Sequence, residues 1–306
     1  MSEHEDSRRG VDPRGLAQGR GRAAIGEHED SRRDFGRSLP RALSVAGSDS
    51  GGGAGIQADL KTFEALGVFG MTAITAVTVQ NTLGVQSYHA VPAEVVAAQI
   101  DAVASDIGVD AAKTGMLADA AIVEAVGEAL RRNAITRLVV DPVGASGRGQ
   151  PLLEAEALSL VRSLLLPMAL VVTPNLAEAA ELSGRPVATR DDMAEAARAI
   201  HALGPRFVLV KGGHLDENED AADLLFDGVR EIWISGPRVA ARSTHGTGCV
   251  LAAAITAELA RGGEVEGSVR RAKEFVRGAI AGGLSLGKGV GPVDPAWRTR
   301  GFGLPD

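Results

Sequence analysis

Residues 242–257 read Arg-Ser-Thr-His-Gly-Thr-Gly-Cys-Val-Leu-Ala-Ala-Ala-Ile-Thr-Ala, a glycine turn that leads directly into a helix-forming run. Gly246 and Gly248 carry no Cβ, so the backbone can bend sharply there and come close to a ligand. The first amides of a helix have no intrahelical partners and lie at the positive end of its dipole. We therefore expect an anion-binding turn at this point of the chain.

Cys249 lies at the mouth of this turn and is the only cysteine of the chain. A helix N-terminus lowers the pKa of a thiol, in known cases to between about 3.5 and 7.5. An activated thiol beside an anion site would suit phosphoryl transfer. The alternative is a buried, inert cysteine behind a structural turn, since free cysteines often belong to the core.

The composition is that of a globular protein, with 306 residues, 45% hydrophobic and 23% charged. A formal net charge of −7 argues against a nucleic-acid partner, which requires a basic surface. No apolar run reaches the roughly 18 residues of a membrane span, so we expect no membrane partner. The single cysteine excludes an intrachain disulfide and fits the reducing cytoplasm.

The first forty residues differ from the rest of the chain. The segment Glu3–Arg9 recurs as Glu27–Arg33, charges of both signs are mixed, and no apolar periodicity is present. Such a segment cannot bury enough surface to offset the entropy lost on ordering. We predict a disordered extension over residues 1–40, serving either as a dispensable leader or as a binding tail, and a single domain over residues 41–306.

Beyond Arg41, short apolar strands alternate with helical segments, which predicts an α/β fold with a mainly parallel sheet covered by helices on both faces. Thr72–Val79 reads as a buried parallel strand. Asp223–Phe226 and Glu231–Ser235 read as a small hairpin at the edge of the sheet.

Polar and glycine residues follow the predicted strands. In open α/β sheets ligands bind beyond the carboxyl ends of the strands, so these residues are expected to share one site. Gly47–Gly55 matches neither a P-loop nor the dinucleotide glycine pattern. The segments are Gly47–Gly55, Gln80–Asn81, Lys113–Gly115, Asp141, Thr173–Asn175 and Lys211–Gly213.

Several long motifs resemble those of the hydroxymethylpyrimidine/phosphomethylpyrimidine kinases of thiamine synthesis, in matching order and spacing from Arg41 to Val293. The resemblance implies a ribokinase-like fold, ATP as phosphoryl donor, Mg²⁺ as cofactor, a cytoplasmic location and a homodimer. The implied substrates are 4-amino-5-hydroxymethyl-2-methylpyrimidine and its monophosphate. The motifs are Ala46–Thr62, Thr78–Thr82, Lys113–Leu117, Val172–Ala180, Val210–His214 and Thr244–Cys249.

The resemblance also implies roles for individual residues on the acceptor side. Gly47 and Gln80 would contact the pyrimidine, and a glutamine amide offers both a donor and an acceptor to an aminopyrimidine edge. Asp59 and Met116 would lie near that pocket, although Met116 can equally be ordinary core.

On the donor side, the resemblance places the nucleotide near Asn175, Lys211 and Thr244, and the metal near Glu178 and Asp141. Asn175 and Glu178 can equally be a helix N-cap and a solvated first-turn residue, and Lys211 a solvated strand end. The backbone amides of the turn would form an oxyanion hole, with Cys249 accepting the hydroxymethyl proton. Those amides belong to Gly246, Thr247, Gly248 and Cys249.

One segment departs from the family pattern. After Val143 the chain continues through Gly144–Gln150 without the bulky apolar residue that such kinases usually carry. A pyridoxal kinase of the same subfamily therefore stays open as an alternative, although Gln80 favours the pyrimidine. A vitamin-binding protein without enzymatic activity is the third possibility, and loss of Glu178, the turn or Cys249 would be its mark.

Overall fold

The computed structural model describes residues 39–144, 155–213, 215 and 220–301. The extension predicted for residues 1–40 lies almost wholly outside this part of the chain. Most of the Gly144–Gln150 loop and His214 also lie outside it.

Within the described part, nine strands form one sheet in the order β3-β2-β1-β4-β5-β6-β7-β8-β9. The six central strands are parallel, whereas β3, β8 and β9 are antiparallel to their neighbours. The mainly parallel sheet and the edge hairpin are thus confirmed. The strands are β1 Arg41–Ser48, β2 Phe69–Asn81, β3 Gly84–Ala90, β4 Ala111–Thr114, β5 Leu138–Val140, β6 Val171–Val172, β7 Phe207–Val210, β8 Asp220–Phe226 and β9 Glu231–Pro237.

Helices cover both faces of the sheet and divide the core in two. One core cluster contains buried side chains of α1, α7 and α8, and the other contains those of α2, α3 and α6. The helices are α1 Gly55–Ala65, α2 Ala93–Asp106, α3 Ala120–Arg132, α4 Ala155–Leu160, α5 Leu176–Ser183, α6 Arg190–His201, α7 Thr247–Ala260 and α8 Val265–Ala281.

Helix α7 is buried along its whole length from Val250 to Ala260. It packs between α1 and α8 against the sheet, which explains why its alanine-rich sequence has no polar face. In the part of the chain that the structure describes, no helix is long and apolar enough to cross a membrane.

Strand β2 differs from its prediction as a fully buried strand. Its pairing with β1 ends at Val77, and beyond that point it pairs only with β3. Val77 and Val79 are about half exposed, at 51% and 52%, so this end of the strand is not buried. The end of β2 from Ala76 to Asn81 pairs antiparallel with β3 at the edge of the sheet, and we call residues 76–90 the β2–β3 hairpin.

Candidate active site

The anion-binding turn lies at the carboxyl edge of the parallel strands. Gly246 caps α7 with a left-handed φ of 84°. The amide of Thr247 donates to the carbonyl oxygen of Thr244 at 3.3 Å. Among the described residues, the amides of Gly246, Gly248 and Cys249 have no hydrogen-bond partner. Three of the four predicted oxyanion-hole amides are therefore available to an anion, while that of Thr247 is engaged.

The turn packs directly on the glycine loop that follows β1. A Cβ added to Gly246 would overlap the carbonyl oxygen of Gly53. A Cβ on Gly53 would in turn lie 2.6 Å from Cδ2 of His245. Glycine is thus favoured at both positions, because an added Cβ would meet the backbone of Gly53 in one case and the ring of His245 in the other.

We predict that Gly246→Ala lowers the free energy of unfolding by about 1–3 kcal/mol, through the left-handed φ and the clash with Gly53. The turn amides are displaced as well, so we expect kcat to fall by about tenfold. Denaturant unfolding and steady-state kinetics measure the two effects. Gly236→Ala is the matched control, since Gly236 has no positive φ and its added Cβ comes no closer than 3.8 Å to another residue. Equal effects of the two substitutions would contradict the prediction.

Cys249 faces the first turns of two helices. It lies in the first turn of α7, and the backbone amide of Gly55, the first residue of α1, acts to lower the pKa of its thiol. Burial nevertheless raises the pKa of the thiol to about 11, although the charge of Lys113 opposes the shift. The expectation of a lowered pKa is therefore wrong for this structure. Loss of hydration outweighs the helix amides, and the negative charges of Asp59 and Asp141 add to it.

Asp59 lies inside the protein and not on the surface of a pocket. Its Oδ2 accepts from Nζ of Lys113 at 2.8 Å and from Oγ of Ser44 at 2.6 Å. Both charged side chains are fully buried. Asp59 is therefore not accessible to a ligand in this conformation, and its place near the pyrimidine stays a prediction. Its carboxylate holds Lys113, and the positive charge of Lys113 lowers the pKa of Cys249.

Gly47 and Met116 are neighbours beneath the glycine loop. A Cβ on Gly47 would lie 3.2 Å from Sδ of Met116. Met116 is only 8% exposed, so most of its side chain belongs to the core. Met116 is therefore largely a core residue that packs against Gly47, and its place near the pyrimidine stays a prediction.

Asp49 organises the glycine loop, a role that the sequence did not reveal. Its Oδ1 accepts from the amide of Gly51 at 2.7 Å, and its Oδ2 from those of Gly53 at 3.0 Å and Ala54 at 2.8 Å. Burial acts to raise the pKa of Asp49, but these amides and His245 hold it below the ordinary value. The buried Asp49 carboxylate thus holds the glycine loop in place through three backbone amides.

Gln80 and Asp49 meet at a residue to which the sequence analysis gave no role, His245. Nε2 of His245 lies 3.1 Å from Oδ2 of Asp49 and 3.3 Å from Nε2 of Gln80. The position of His245 directly before the anion-binding turn was the available signal. Its two partners could not be read from the sequence, since they precede it by 196 and 165 residues.

The predicted metal and nucleotide residues form a second cluster at the same edge. Nζ of Lys211 lies 3.1 Å from Oδ1 of Asp141 and 3.8 Å from Oε2 of Glu178. Asp141 also accepts from Oγ1 of Thr173 at 2.9 Å. Lys211 is therefore not a solvated strand end, because it joins two carboxylates. Their charges raise its pKa although burial opposes this.

Asn175 and Glu178 form a capping box at the start of α5. The Asn175 side chain accepts from the amide of Glu178 at 2.9 Å, and Oε2 of Glu178 accepts from the amide of Asn175 at 2.7 Å. The N-cap alternative is thus correct, but Glu178 is buried and not solvated. Burial raises its pKa to about 7, and the charge of Asp141 contributes although Lys211 opposes.

The side chains available as metal ligands favour a metal ion that is held mainly by phosphates of the nucleotide. In the described part of the chain, no three His, Cys, Asp or Glu side chains are grouped as metal ligands. Mg²⁺ in kinase sites needs only one or two carboxylates, with water and substrate phosphates completing its shell. Asp141 and Glu178 supply such a pair, with Nζ of Lys211 3.1 Å from the first carboxylate and 3.8 Å from the second.

Comparisons with known proteins agree with this architecture. The family model described as phosphomethylpyrimidine kinase matches residues 49–294. A Streptomyces coelicolor hydroxymethylpyrimidine/phosphomethylpyrimidine kinase is 55% identical over 258 residues, covering 84% of this chain and 95% of its own.

Two solved structures share the fold. An ADP complex of Bacillus subtilis pyridoxal kinase superposes with a TM-score of 0.79 at 40% identity, over 86% of this chain and all of that one. A Clostridium difficile phosphomethylpyrimidine kinase gives 0.69 at 41% identity, over 78% and 98%. The predicted ribokinase-like fold is confirmed by these similarities.

Proposed function

The chain belongs to the phosphomethylpyrimidine kinase family, and we propose that it phosphorylates 4-amino-5-hydroxymethyl-2-methylpyrimidine with ATP and then phosphorylates the monophosphate. The observation that supports this most is the convergence of three elements at one edge of the sheet. These are the anion-binding turn with Cys249, the Gln80 amide beside the glycine loop, and the Asp141–Glu178 carboxylate pair.

On the acceptor side, the glycine loop and Gln80 bind the pyrimidine. The amide of Gln80 offers both a donor and an acceptor to the aminopyrimidine edge. Gln80 is partly buried, and its backbone is held by two hydrogen bonds with Ser50, at 2.8 and 2.9 Å. This fixation lets the amide recognise the acceptor with little loss of conformational entropy.

In the first reaction the hydroxymethyl oxygen bonds to the γ-phosphorus of ATP while the bond to the bridging oxygen of ADP breaks. The hydroxymethyl proton passes to Sγ of Cys249. The free amides of Gly246, Gly248 and Cys249 hold the oxygens of the transferring group, on which negative charge is spread. Because the thiol has a pKa of about 11 in this structure, only its minor thiolate form can accept the proton at neutral pH.

We further propose that Asp141 and Glu178 hold Mg²⁺ together with the nucleotide phosphates. The ion would neutralise phosphate charge when it is bound. Lys211 lies between the two carboxylates, so its positive charge would stand beside the same phosphates. The carbonyl oxygen of Thr244 accepts from both the amide and the hydroxyl of Thr247, which places Thr244 at the turn where the phosphates would bind.

The direct test incubates the purified protein with ATP, Mg²⁺ and the pyrimidine and follows mono- and diphosphate by mass spectrometry. We expect the monophosphate first and the diphosphate after it, with neither product when Mg²⁺ is chelated. Binding of the pyrimidine without ATP consumption would instead indicate a vitamin-binding protein.

Pyridoxal is the second candidate acceptor, because the fold resembles that of Bacillus subtilis pyridoxal kinase with a TM-score of 0.79. The same assay with pyridoxal decides between the two. We expect the pyrimidine to give the larger kcat/KM, and the reverse order would make the protein a pyridoxal kinase.

A homodimer in the cytoplasm completes the proposal. The β2–β3 hairpin exposes apolar side chains, among them Val77, Val79 and Leu83 at 51%, 52% and 54%, and a second copy could cover them. Sedimentation equilibrium tests this by giving the mass in solution. A reducing compartment suits a catalytic role for Cys249, which is a free thiol.

A further inference from the structure

His245 is held firmly between the glycine loop and the anion-binding turn. Its amide donates to the carbonyl of Gly291 at 3.1 Å, and its own carbonyl accepts from the amide of Val293 at the same distance. Its ring packs against Gly53, where an added Cβ would lie 2.6 Å from Cδ2. The ring therefore has a fixed position next to the turn amides.

The contact with Asp49 fixes a proton on Nε2 of His245. Asp49 is 3% exposed, and an ionised carboxylate can only accept hydrogen bonds. A lone pair on Nε2 would point at the Oδ2 oxygen 3.1 Å away and be repelled. Nε2 must therefore carry its proton and donate, whether the ring is neutral or charged.

This proton determines which end of the Gln80 amide faces His245. A donor at Nε2 cannot also receive a hydrogen bond from the Gln80 amino group, so the oxygen Oε1 must face it. The other neighbour is Oγ1 of Thr78, which lies 3.3 Å from the opposite end of the Gln80 amide. This hydroxyl donates its single proton to the carbonyl of Ser48 at the shorter distance of 2.9 Å. The hydroxyl can then only accept from the Gln80 amino group. Amide orientation is assigned from such networks, and both neighbours favour the same one.

We propose that His245 is a specificity-determining positioning residue, which fixes the donor–acceptor order of the Gln80 amide and thereby selects an acceptor with an amino group beside its ring nitrogen. This inference rests on the proposed function, in which Gln80 binds the pyrimidine edge. Without the His245 proton the Gln80 amide can rotate by 180°, and an acceptor that lacks the amino group is then excluded less strictly.

The test compares kcat/KM for 4-amino-5-hydroxymethyl-2-methylpyrimidine with kcat/KM for the analogue that lacks the 4-amino group. We expect the wild-type protein to prefer the amino compound strongly, because a site built to bind a polar group rejects ligands without it. In His245→Leu, which removes the donor but keeps apolar bulk, this ratio falls by about ten- to hundredfold. The loss lies mainly in KM for the pyrimidine, and KM for ATP is unchanged.

His245→Gln is the matched variant, since its side-chain amide can again donate to Asp49, and it restores most of the ratio. In a Gln80→Leu background, His245→Leu produces no further loss of selectivity, because His245 acts through Gln80. A merely structural role would lower kcat/KM for both acceptors equally, and an unchanged ratio overturns the inference.

A measurement on the wild-type protein keeps the inference testable if His245→Leu does not fold. With ¹⁵N-labelled histidine at pH 8, the resonances of His245, assigned by comparison with His245→Gln, should show a protonated Nε2. An unprotonated Nε2 overturns the inference. Failure of the wild-type protein to phosphorylate either acceptor would overturn the proposed function itself. Phosphorylation of both acceptors at equal kcat/KM would overturn the role of His245 but not the kinase activity.

Discussion

Replacing Cys249 by alanine slows the first phosphorylation by about 10²–10⁴-fold, the usual contribution of a general base, and slows the second by less than about tenfold. The hydroxymethyl acceptor of the first reaction must lose a proton, and the thiolate is placed to receive it. The acceptor of the second reaction is a phosphate that is already anionic, so it needs no base. Single-turnover mixing with mass detection separates the two rates.

The raised pKa of Cys249 adds a pH dependence to this result. The thiolate is the active form, and its fraction rises with pH until the pKa of about 11 is reached. The rate of the first reaction should therefore rise by roughly tenfold per pH unit between pH 7 and 9 in wild type, and stay flat in Cys249→Ala. Cys249→Asp introduces a base that ionises at lower pH, and it should weaken the dependence. Equal losses on both reactions in Cys249→Ala would contradict a base role for the thiol.

Lys113→Met lowers the free energy of unfolding by about 3–5 kcal/mol, because it leaves the Asp59 carboxylate without its partner in the interior. Both side chains are fully buried, and Oδ1 of Asp59 has no hydrogen bond even in wild type. Removal of the ammonium also removes a positive charge that lowers the pKa of Cys249. Urea unfolding at pH 7 measures the change in stability.

Two controls distinguish a buried ion pair from a general effect of charge removal. Arg185→Met breaks an exposed ion pair with Glu195, whose side chains are 48% and 57% accessible, and should change stability by less than about 1 kcal/mol. The double variant Lys113→Met/Asp59→Leu removes both charges and should recover most of the loss. A double variant as unstable as Lys113→Met would mean that packing, and not the unpaired charge, causes the loss.

The sheet was predictable because its central strands are short apolar runs, as buried parallel strands must be. Strand β3 was missed for the opposite reason. Of its side chains only Val85 is buried, so Gly84–Ala90 shows no apolar pattern. The exposed end of β2 could not be predicted either. The residues Thr72–Val79 do not reveal that β1 stops pairing before β2 ends.

The sequence predicts that residues at the strand ends share one site. It does not predict which of these residues contact each other. Asp59 and Lys113 are 54 residues apart in the chain, and no local pattern pairs them. The pKa shift of Cys249 was predicted in the wrong direction because the rule for helix N-termini assumes a thiol that stays hydrated. Burial depends on α1 and α7 packing together, which is a property of the whole fold.

The contact between Gly53 and Gly246 joins the loop after β1 to the start of α7, the last helix but one. A chain still emerging from the ribosome has the first segment and lacks the second. The phosphate-binding turn therefore cannot form against its support until β1 to β9 are complete and α7 has been made. Any ligand that bridges the two segments ties the first strand of the domain to α7, so its binding energy opposes opening of the sheet between them and not only of a local loop.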